Sequence, residues 1–297
     1  MSIYLFARNK IARPVYYGAL AVGRGLLWAY VQLMQTLLGK RRFLNLCHAF
    51  GRQIDKSIVV NGIIFDAVNA RPMQRGLTHI DVEPDTISWL EMFVNEDDVL
   101  YDIGANIGIY TLYAAIKRGA VVRAFEPMSA NYDTLNRNIY LNNLSDRVLA
   151  FNLAMHSSQQ VSVLNLSGVD SGKAGHGFHI AQGGSGKTPF EPEFRQGVLG
   201  LRLDGFVNGY DQPFPNHVKI DVDGNEPEII AGMEGILGDK RLKTIAVELE
   251  VENFKEDAKA VETIKKYGFE LLTDPRLENS SQQSWTKVRN YFFARTD

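Results

Sequence analysis

The stretch VLYDIGANIGIYTLYAA, residues Val99–Ala115, decides the fold of this chain. An apolar run ends at Asp102, small residues follow, and apolar residues then recur at the spacing of a helix. This order predicts a strand, a glycine-containing turn and a helix. In α/β proteins that arrangement is typical of a nucleotide-binding turn, because the helix N-terminus and the bare backbone of the turn can approach the ligand.

Strands and helices alternate on the C-terminal side of this stretch, which implies an α/β fold with a parallel sheet and helices on both faces. Ligands of such sheets bind at the carboxyl ends of the strands, near the point where the strand order reverses. Predicted helices are SANYDTLNRNIYLNN, with Ser129 as N-cap, NEPEIIAGMEGILG, which Asn225 caps and Gly238 ends, and EDAKAVETIKKYG. Predicted strands are AVVRAFEP, RVLAFNLA, HVKID, TIAVELEV, FELLTD and NYFFAR.

Three zones divide the chain. We expect a helical N-terminal extension over residues 1–55, a small β-hairpin cap over 56–80, and the main domain over 81–297. Within that domain, residues 167–197 are rich in glycine and contain two prolines. This segment is interpreted as a long insertion that acts as a substrate loop or lid.

Composition excludes several classes of protein. The net charge of −2 provides no overall basic field for nucleic acid, so we expect no nucleic-acid partner. The single cysteine, Cys47, can form neither an internal disulfide nor a cysteine-rich zinc site, which fits a reducing, cytoplasmic location. The oligomeric state stays open.

The N-terminal segment Val15–Leu38 is long and apolar, with Arg24 as its only formal charge. A membrane span, a helix on a membrane surface and a packed helical extension all stay open, although Arg24 near the middle makes a span costly. No small-residue cleavage site follows a short apolar core, so we expect no cleaved signal peptide. Basic residues flank the segment, and residues 10–42 are therefore a candidate for peripheral contact at the inner face of a membrane.

The turn departs from the dinucleotide fingerprint G-x-G-x-x-G. Asn106 replaces the second glycine and Ile109 the third, yet a pyrophosphate needs bare backbone at the second position. S-adenosylmethionine has no pyrophosphate and tolerates Asn106. We expect NH groups of the turn to bind its carboxylate, Asp102 to orient its ammonium group, and Glu126, at the end of the next strand, to accept from both ribose hydroxyls.

Four motifs in this order, DIGANIGIYT, AFEP followed by LNRNIYLNN, LRLDGF and VKIDVDGNEPEIIAGM, resemble the FkbM family of S-adenosylmethionine-dependent methyltransferases. The resemblance runs from about HIDVEPDTISWL to the final strand. It implies a Rossmann-like class I methyltransferase fold, with a mostly parallel seven-stranded sheet and an antiparallel final hairpin. It also implies methyl transfer to oxygen, on a hydroxyl of a sugar, glycolipid or polysaccharide.

Candidate site residues follow from the motifs and from the strand ends. For the methyl-transfer step we expect Asp221 as base or substrate orienter, with Glu248 and His176 as further catalytic candidates. The expected cofactor-binding residues are Asp102, Gly104, Ala105, Asn106, Gly108, Thr111, Glu126, Pro127, Asn152, Ala154 and Asp221.

A divalent cation is considered but not favoured, and no metal ligand is assigned. Asp221, Asp223 and Glu226 supply hard oxygen atoms, and DVDGNE resembles the start of a calcium loop. The loop pattern needs a glutamate at its twelfth position, which here is Gly232.

Two other functions remain as alternatives. One is a non-catalytic binding module on the methyltransferase fold. The other is an NTP-using enzyme, because AQGGSGKT, residues 181–188, approaches a P-loop. A P-loop requires a helix after the lysine, and Pro189 and Pro192 follow at once, which disfavours it.

Overall fold

The computed structural model describes residues 12–53, 57–67, 83–179, 181–183, 188–277 and 288–296. The chain divides into two units, Met1–Lys56 and Ser57–Asp297. The described part of the first unit consists of two helices, α1 (Ala12–Leu38) and α2 (Lys40–Gln53). Among the helices that the structure describes, none combines the length and the apolar character needed to cross a bilayer.

The second unit opens with an antiparallel hairpin of β1 (Ser57–Val60) and β2 (Ile63–Asp66). Two asparagine side chains hold its second strand: the Asp66 N–H donates to Asn138 Oδ1 at 2.7 Å and the Ile64 N–H to Asn142 Oδ1 at 2.9 Å. Residues 56 and 68–80 of the predicted cap lie outside the described ranges.

The following elements of the second unit are given in chain order. The helices are α3 (Pro84–Phe93), α4 (Ile109–Arg118), α5 (Ser129–Leu141), α6 (Leu203–Gly209), α7 (Glu226–Ala231), α8 (Glu234–Leu237) and α9 (Lys255–Lys266). The strands are β3 (Val99–Ile103), β4 (Val121–Phe125), β5 (Val148–Phe151), β6 (Ala154–Met155), β7 (Gln160–Leu166), β8 (Gly177–Phe178), β9 (Gln182–Gly183), β10 (Thr188–Pro189), β11 (Phe194–Leu201), β12 (His217–Ile220), β13 (Thr244–Leu249), β14 (Phe269–Leu271) and β15 (Arg289–Arg295).

A seven-stranded sheet forms the centre of this unit, in the order β14-β15-β13-β12-β3-β4-β5. Strands β13, β12, β3, β4 and β5 are mutually parallel, whereas β15 is antiparallel to both β13 and β14. This topology confirms the predicted α/β fold, including the antiparallel hairpin at its end. The order reverses at β3, which places the carboxyl ends of β3 and β12 side by side where a ligand is expected.

Apolar side chains cover both faces of the sheet. One core contains Trp89, Leu100 and Leu112, and the other contains Tyr101, Phe125 and Ile220, all buried. The parallel strands β3, β12 and β13 are buried along almost their whole length because both of their faces are covered. The indole N–H of Trp89 still has a polar partner, since it donates to Thr244 Oγ1 at 3.2 Å.

A second, four-stranded sheet has the order β6-β11-β7-β8. The sequence predicts residues 167–197 as a loop, but residues 194–200 of β11 pair with Gln160–Leu166. The loop prediction is therefore wrong at its C-terminal end. The two paired strands, β7 and β11, are separated in the chain by residues 167–193, so their pairing leaves little signal in the local sequence.

The predicted helix NEPEIIAGMEGILG is broken into α7 and α8. A Cβ atom at Gly232 would lie 2.1 Å from the carbonyl oxygen of His156, so this backbone contact requires glycine at the break. The predicted cap residue Asn225 makes no capping hydrogen bond through its side chain.

Candidate active site

A cavity of about 410 Å³ lies at the carboxyl ends of β3, β4, β12 and β13. The sequence-predicted residues that line it are Gly104, Ala105, Asn106, Glu126, Pro127, Ala154, His176, Asp221 and Glu248. Four other predicted residues are not part of the described lining: Asp102, Gly108, Thr111 and Asn152. The structure thus brings candidates for cofactor binding and for catalysis into one cavity.

The turn after β3 passes close to the end of β12. Gly104 has a φ of +83° and Gly108 a φ of +91°, which is the left-handed region that favours glycine. Asn106 adopts it as well, at +51°, as asparagine does more readily than most residues. The backbone conformation of the turn therefore favours glycine at positions 104 and 108.

The NH groups of this turn are already engaged. Gly104 and Ala105 both donate to the carbonyl of Phe125, at 2.9 and 3.0 Å, and Gly108 donates to Ala105 at 2.8 Å. These three NH groups therefore already have acceptors within the protein, and the expectation that NH groups of the turn bind the carboxylate of a ligand stays a prediction.

Glu126 is held by backbone donors. Asn106 N–H donates to its Oε2 and Met128 N–H to its Oε1, both at 2.8 Å. Burial raises the pKa of Glu126 to about 7, although these two NH donors act in the opposite direction. The side chain of Asn131 is a third donor to Glu126. Two carboxylate oxygens offer about four lone-pair positions, so Glu126 can still accept from a ligand hydroxyl.

Asp102 is buried beneath the turn. Its Oδ2 accepts a hydrogen bond from Thr111 Oγ1 at 2.5 Å, which explains why Thr111 is buried away from the cavity. Asp102 Oδ1 and Asn106 Oδ1 are buried acceptors without a partner among the described residues. An unpaired buried acceptor is costly, so both atoms fit a ligand with an ammonium group or other N–H or O–H donors.

Asn152 lies at the end of β5, and its side chain bonds to the backbone that follows β4. Its Nδ2 donates to the carbonyls of Glu126 and Pro127, at 2.8 and 2.9 Å. Asn152, one of the predicted cofactor-binding residues, therefore holds the strand end that carries Glu126.

Lys219 and Asp221 face the other half of the cavity. Lys219 Nζ donates to Asp221 Oδ2 at 2.8 Å and lies 4.7 Å from the centre of the Tyr110 ring. Burial lowers the pKa of Lys219, but the carboxylates of Asp221, Asp102 and Glu83 outweigh burial and leave it above its ordinary value. Lys219 is thus a buried, charged ammonium group.

Two further acids complete this half. Glu83, just before α3, accepts a hydrogen bond from Tyr110 Oη at 2.5 Å, and Glu248 lies near the end of β13. Burial raises the pKa of both glutamates, and the charge of Asp221 raises both further. The cavity therefore joins a half built on Glu126 to a half built on Glu83, Asp221 and Glu248.

The glycine-rich insertion lies against the cavity at residues 171–176. Asn131 accepts from Gly172 N–H at 2.7 Å and donates to the Lys173 carbonyl at 3.2 Å, and Asn106 Nδ2 donates to that carbonyl at the same distance. Gly175 N–H donates to Asp223 Oδ2 at 2.6 Å. His176 lines the cavity as part of this segment, and its Nδ1 accepts from Ser167 N–H at 3.3 Å.

The acids next to Asp221 have backbone partners. Asp223 accepts from Gly175 N–H, and Glu226 accepts from Gly224 N–H at 2.9 Å. Within the described ranges, no group of three or more histidine, cysteine, aspartate or glutamate side chains is placed to hold a metal ion.

The P-loop-like stretch AQGGSGKT is described only in part, since residues 184–187 lie outside the described ranges. Gln182–Gly183 pairs with Thr188–Pro189 as a short antiparallel ladder. A strand thus follows the lysine where a phosphate-binding helix would begin, and the NTP alternative is not favoured.

Sequence reasoning missed Glu83, Tyr110 and Lys219. Lys219 did leave a signal, because a lysine inside the apolar strand HVKI, buried on both faces, needs a charged partner. Glu83 and Tyr110 reach the cavity only through the packing of α3 on α4, which no local pattern encodes.

The sequence model of the methyltransferase FkbM domain matches residues 102–271, more than half of the chain. The chain belongs to the FkbM methyltransferase family. A curated relative, the hexuronic acid methyltransferase AglP of Haloferax volcanii, is 32% identical over 155 residues, which cover 52% of this chain and 58% of that protein. The chain therefore spans little more than half the length of this family relative.

Two solved structures show similarity to the FkbM chain. A precorrin-6y C5,15-methyltransferase from Geobacter metallireducens has a TM-score of 0.39 and 15% identity, covering 71% of this chain and 86% of its own. An rRNA methylase from Streptococcus thermophilus has a TM-score of 0.43 and 10% identity, covering 71% and 93%.

Proposed function

We propose that this chain is an S-adenosylmethionine-dependent O-methyltransferase that acts on a hydroxyl of a sugar-containing acceptor. The observation that carries the proposal is the cavity itself. It joins Glu126 to the cluster of Glu83, Lys219, Asp221 and Glu248, at the carboxyl edge of the sheet. Membership of the family supports methyl transfer, and the name of the Haloferax volcanii relative supports a sugar as acceptor.

The cofactor half of the cavity fits an aminoacyl nucleoside. Glu126 would accept hydrogen bonds from ribose hydroxyls, and the unpaired Asp102 Oδ1 would accept, directly or through water, from an ammonium group. Pro127 and Ala154 give the same half an apolar wall. When bound, S-adenosylmethionine supplies an activated methyl group.

The acceptor half supplies orientation and a base. Lys219 Nζ, a charged ammonium group, donates to Asp221 Oδ2 at 2.8 Å. An ionised Asp221 can orient an acceptor hydroxyl and take its proton, while Tyr110 and Glu83 fix the wall beside it.

Calorimetric titration with S-adenosylmethionine, S-adenosylhomocysteine, NAD and ATP tests the cofactor assignment. We expect the first two alone to bind, and Glu126→Ala to weaken both. Glu262→Gln, on the exposed face of α9, is the control and should bind like the wild type. Binding of ATP or NAD instead would contradict the proposal. Cofactor binding without turnover on any glycan acceptor would identify a non-catalytic module.

We further propose that the N-terminal helices contact an anionic membrane surface. Residues 1–54 contain no acidic residue, and Lys40, Arg41 and Arg42 are exposed at the start of α2. Large apolar side chains are also exposed on α1: Leu26, Leu27, Trp28, Tyr30, Leu33 and Leu37. Basic residues beside exposed apolar ones suit the headgroup region of an anionic bilayer.

Co-sedimentation with vesicles tests this contact. We expect binding to phosphatidylglycerol-containing vesicles that falls with added salt, and weak binding to phosphatidylcholine alone. Changing Lys40, Arg41 and Arg42 to glutamate should abolish binding. The matched control changes Lys255, Lys259 and Lys266 of α9 to glutamate. Binding that is indifferent to vesicle charge, or unaltered in the first variant, would contradict the contact.

A further inference from the structure

The acceptor half of the cavity has an unusual balance of charge. We define the acceptor compartment as Glu83, Tyr110, Lys219, Asp221 and Glu248, all of which line the cavity. It contains three carboxyl groups and one ammonium group. The inference drawn from it rests on the proposed methyltransferase function and concerns the chemistry of the acceptor.

The ammonium group of Lys219 already has partners within the protein. Its Nζ donates to Asp221 Oδ2 at 2.8 Å and also lies over the ring of Tyr110. The other lysine of the described lining, Lys173, donates to the carbonyl of Ser167 and lies 4.0 Å from Glu193 Oε2. No arginine belongs to the described lining. A carboxylate on the acceptor would therefore find no guanidinium fork, the group that binds carboxylates best.

The acids already repel one another. The charge of Asp221 raises the pKa of Glu83 and of Glu248, in addition to the effect of burial. A further carboxylate in this low-dielectric space would add to that repulsion. Uncharged hydroxyl groups meet no such penalty, because they donate to ionised carboxylates and accept from protonated ones.

From these contacts we propose that the acceptor compartment binds an uncharged polyhydroxyl segment and discriminates against an acceptor that carries a carboxylate beside the reacting hydroxyl. Glu83 is the specificity-determining residue in this proposal. Its carboxyl group is fixed by Tyr110 Oη at 2.5 Å, and it approaches from α3, away from the strands that form the cofactor half. The acceptor class thus differs from the hexuronic acid in the name of the Haloferax volcanii relative.

Matched sugar pairs provide the test. The probes are methyl glycosides of glucose, galactose and mannose, each paired with its methyl glycuronide, which differs only in a carboxylate at C6. Binding to the full chain loaded with S-adenosylhomocysteine is followed by saturation-transfer NMR at pH 7.5. In at least one pair we expect the neutral member to bind about tenfold more tightly, which corresponds to about 1.4 kcal/mol.

Two variants make the test specific. Glu83→Gln keeps an acceptor for Tyr110 but removes the ionisable carboxyl group, and it should reduce the preference for the neutral member to about threefold or less. Glu91→Gln is the matched control, since Glu91 lies on α3, which Glu83 directly precedes, and accepts from a tyrosine, Tyr113 Oη at 2.6 Å, but does not line the described cavity. It should leave the preference unchanged.

The outcomes separate the two proposals. Glycuronides that bind as tightly as the neutral glycosides, or an absence of binding by every neutral glycoside while S-adenosylhomocysteine still binds, would overturn the acceptor inference alone. An equal change in both variants would overturn the role of Glu83. Failure of S-adenosylhomocysteine to bind would instead overturn the proposed function.

Discussion

Gly104 lies against the carbonyl oxygen of Asp221: a Cβ atom built on Gly104 would be only 1.8 Å from it. The two residues belong to adjacent strand ends, β3 and β12, and the Asp221 N–H donates to the Ile103 carbonyl at 3.0 Å. The bare backbone of the turn therefore fixes the position of the acid that the proposed chemistry needs.

Gly104→Ala should disrupt this contact. The methyl group collides with backbone, and the φ of +83° adds strain for any L side chain, so we expect at least about 2 kcal/mol of destabilisation. Urea unfolding measures the loss, and calorimetry with S-adenosylhomocysteine measures the expected loss of affinity. Gly197→Ala is the control, because a Cβ atom at that exposed strand residue meets nothing within 4 Å. Unfolding free energies that match in the two variants would refute the contact.

Cofactor affinity should depend on the ionisation of Glu126, whose pKa burial raises to about 7. Ribose hydroxyls donate to the ionised carboxylate, so S-adenosylhomocysteine should bind about tenfold more tightly at pH 8 than at pH 6. Glu126→Gln should bind weakly at both pH values, without that step. A wild-type affinity that is flat from pH 6 to pH 8 would count against the role of Glu126.

The same shift makes a prediction for stability without ligand. The folded state binds a proton at Glu126 more tightly than the unfolded state does, so stability is greatest below pH 4.5 for this group and falls as pH rises to about 7. Glu126→Gln should lose that part of the decline. Urea unfolding of both proteins between pH 5 and pH 8 tests the sign. If the difference in unfolding free energy between Glu126→Gln and the wild type shrinks toward pH 8, the predicted sign is wrong.

Removal of the buried ammonium group should be more harmful at high pH. Lys219→Met leaves the carboxylates of Asp221, Asp102 and Glu83 without their cation, and protonation can relieve them only at low pH. We expect about 3 kcal/mol of destabilisation at pH 8 and a smaller loss at pH 5. Lys259→Met, which removes an exposed pair with Glu256, is the control and should cost less than about 1 kcal/mol. An equal loss of unfolding free energy at pH 8 and at pH 5 would argue against charge as the cause.

Asp221→Asn should separate binding from rate. The side chain faces the acceptor compartment, so methyl transfer should fall by about a hundredfold or more while the affinity for S-adenosylhomocysteine changes little. Activity is followed by transfer of labelled methyl groups to the acceptors identified by NMR. Equal losses in both measurements would make Asp221 a cofactor residue.

Asn131 should hold the insertion against the cavity, since its buried amide bonds both Gly172 and Lys173. Asn131→Ala should speed amide hydrogen exchange of residues 170–176 by about tenfold or more. Asn136→Ala on the exposed side of α5 is the control, because its amide bonds only the carbonyl of Tyr132. If both variants exchange alike, another contact holds the segment.

The elements whose structure depends on residues close in the chain were predicted from the sequence. The apolar run before Asp102 and the small residues after it predicted the strand, turn and helix, and the motif AFEP predicted an acid at the end of the next strand, where Glu126 lies. The sheet followed from regular alternation, because parallel strands require crossover helices.

The failures lie where distant segments decide the outcome. The partner of β11 is β7, about thirty residues earlier, and the break at Gly232 depends on the carbonyl of His156. The sequence also does not show that the Phe125 carbonyl accepts from two NH groups of the turn. Glu83 and Tyr110 meet through helix packing alone.

The separation of the two cavity halves has a consequence for engineering. Glu83 precedes α3 and Glu248 lies on β13, whereas the β3 turn is held by the Phe125 carbonyl of β4 and by Asn138 of α5. Because no described hydrogen bond joins Glu83 or Glu248 to Glu126, side chains at positions 83 and 248 can be exchanged as a module. A library restricted to these two positions should yield enzymes retargeted to new acceptors that retain the parental cofactor affinity.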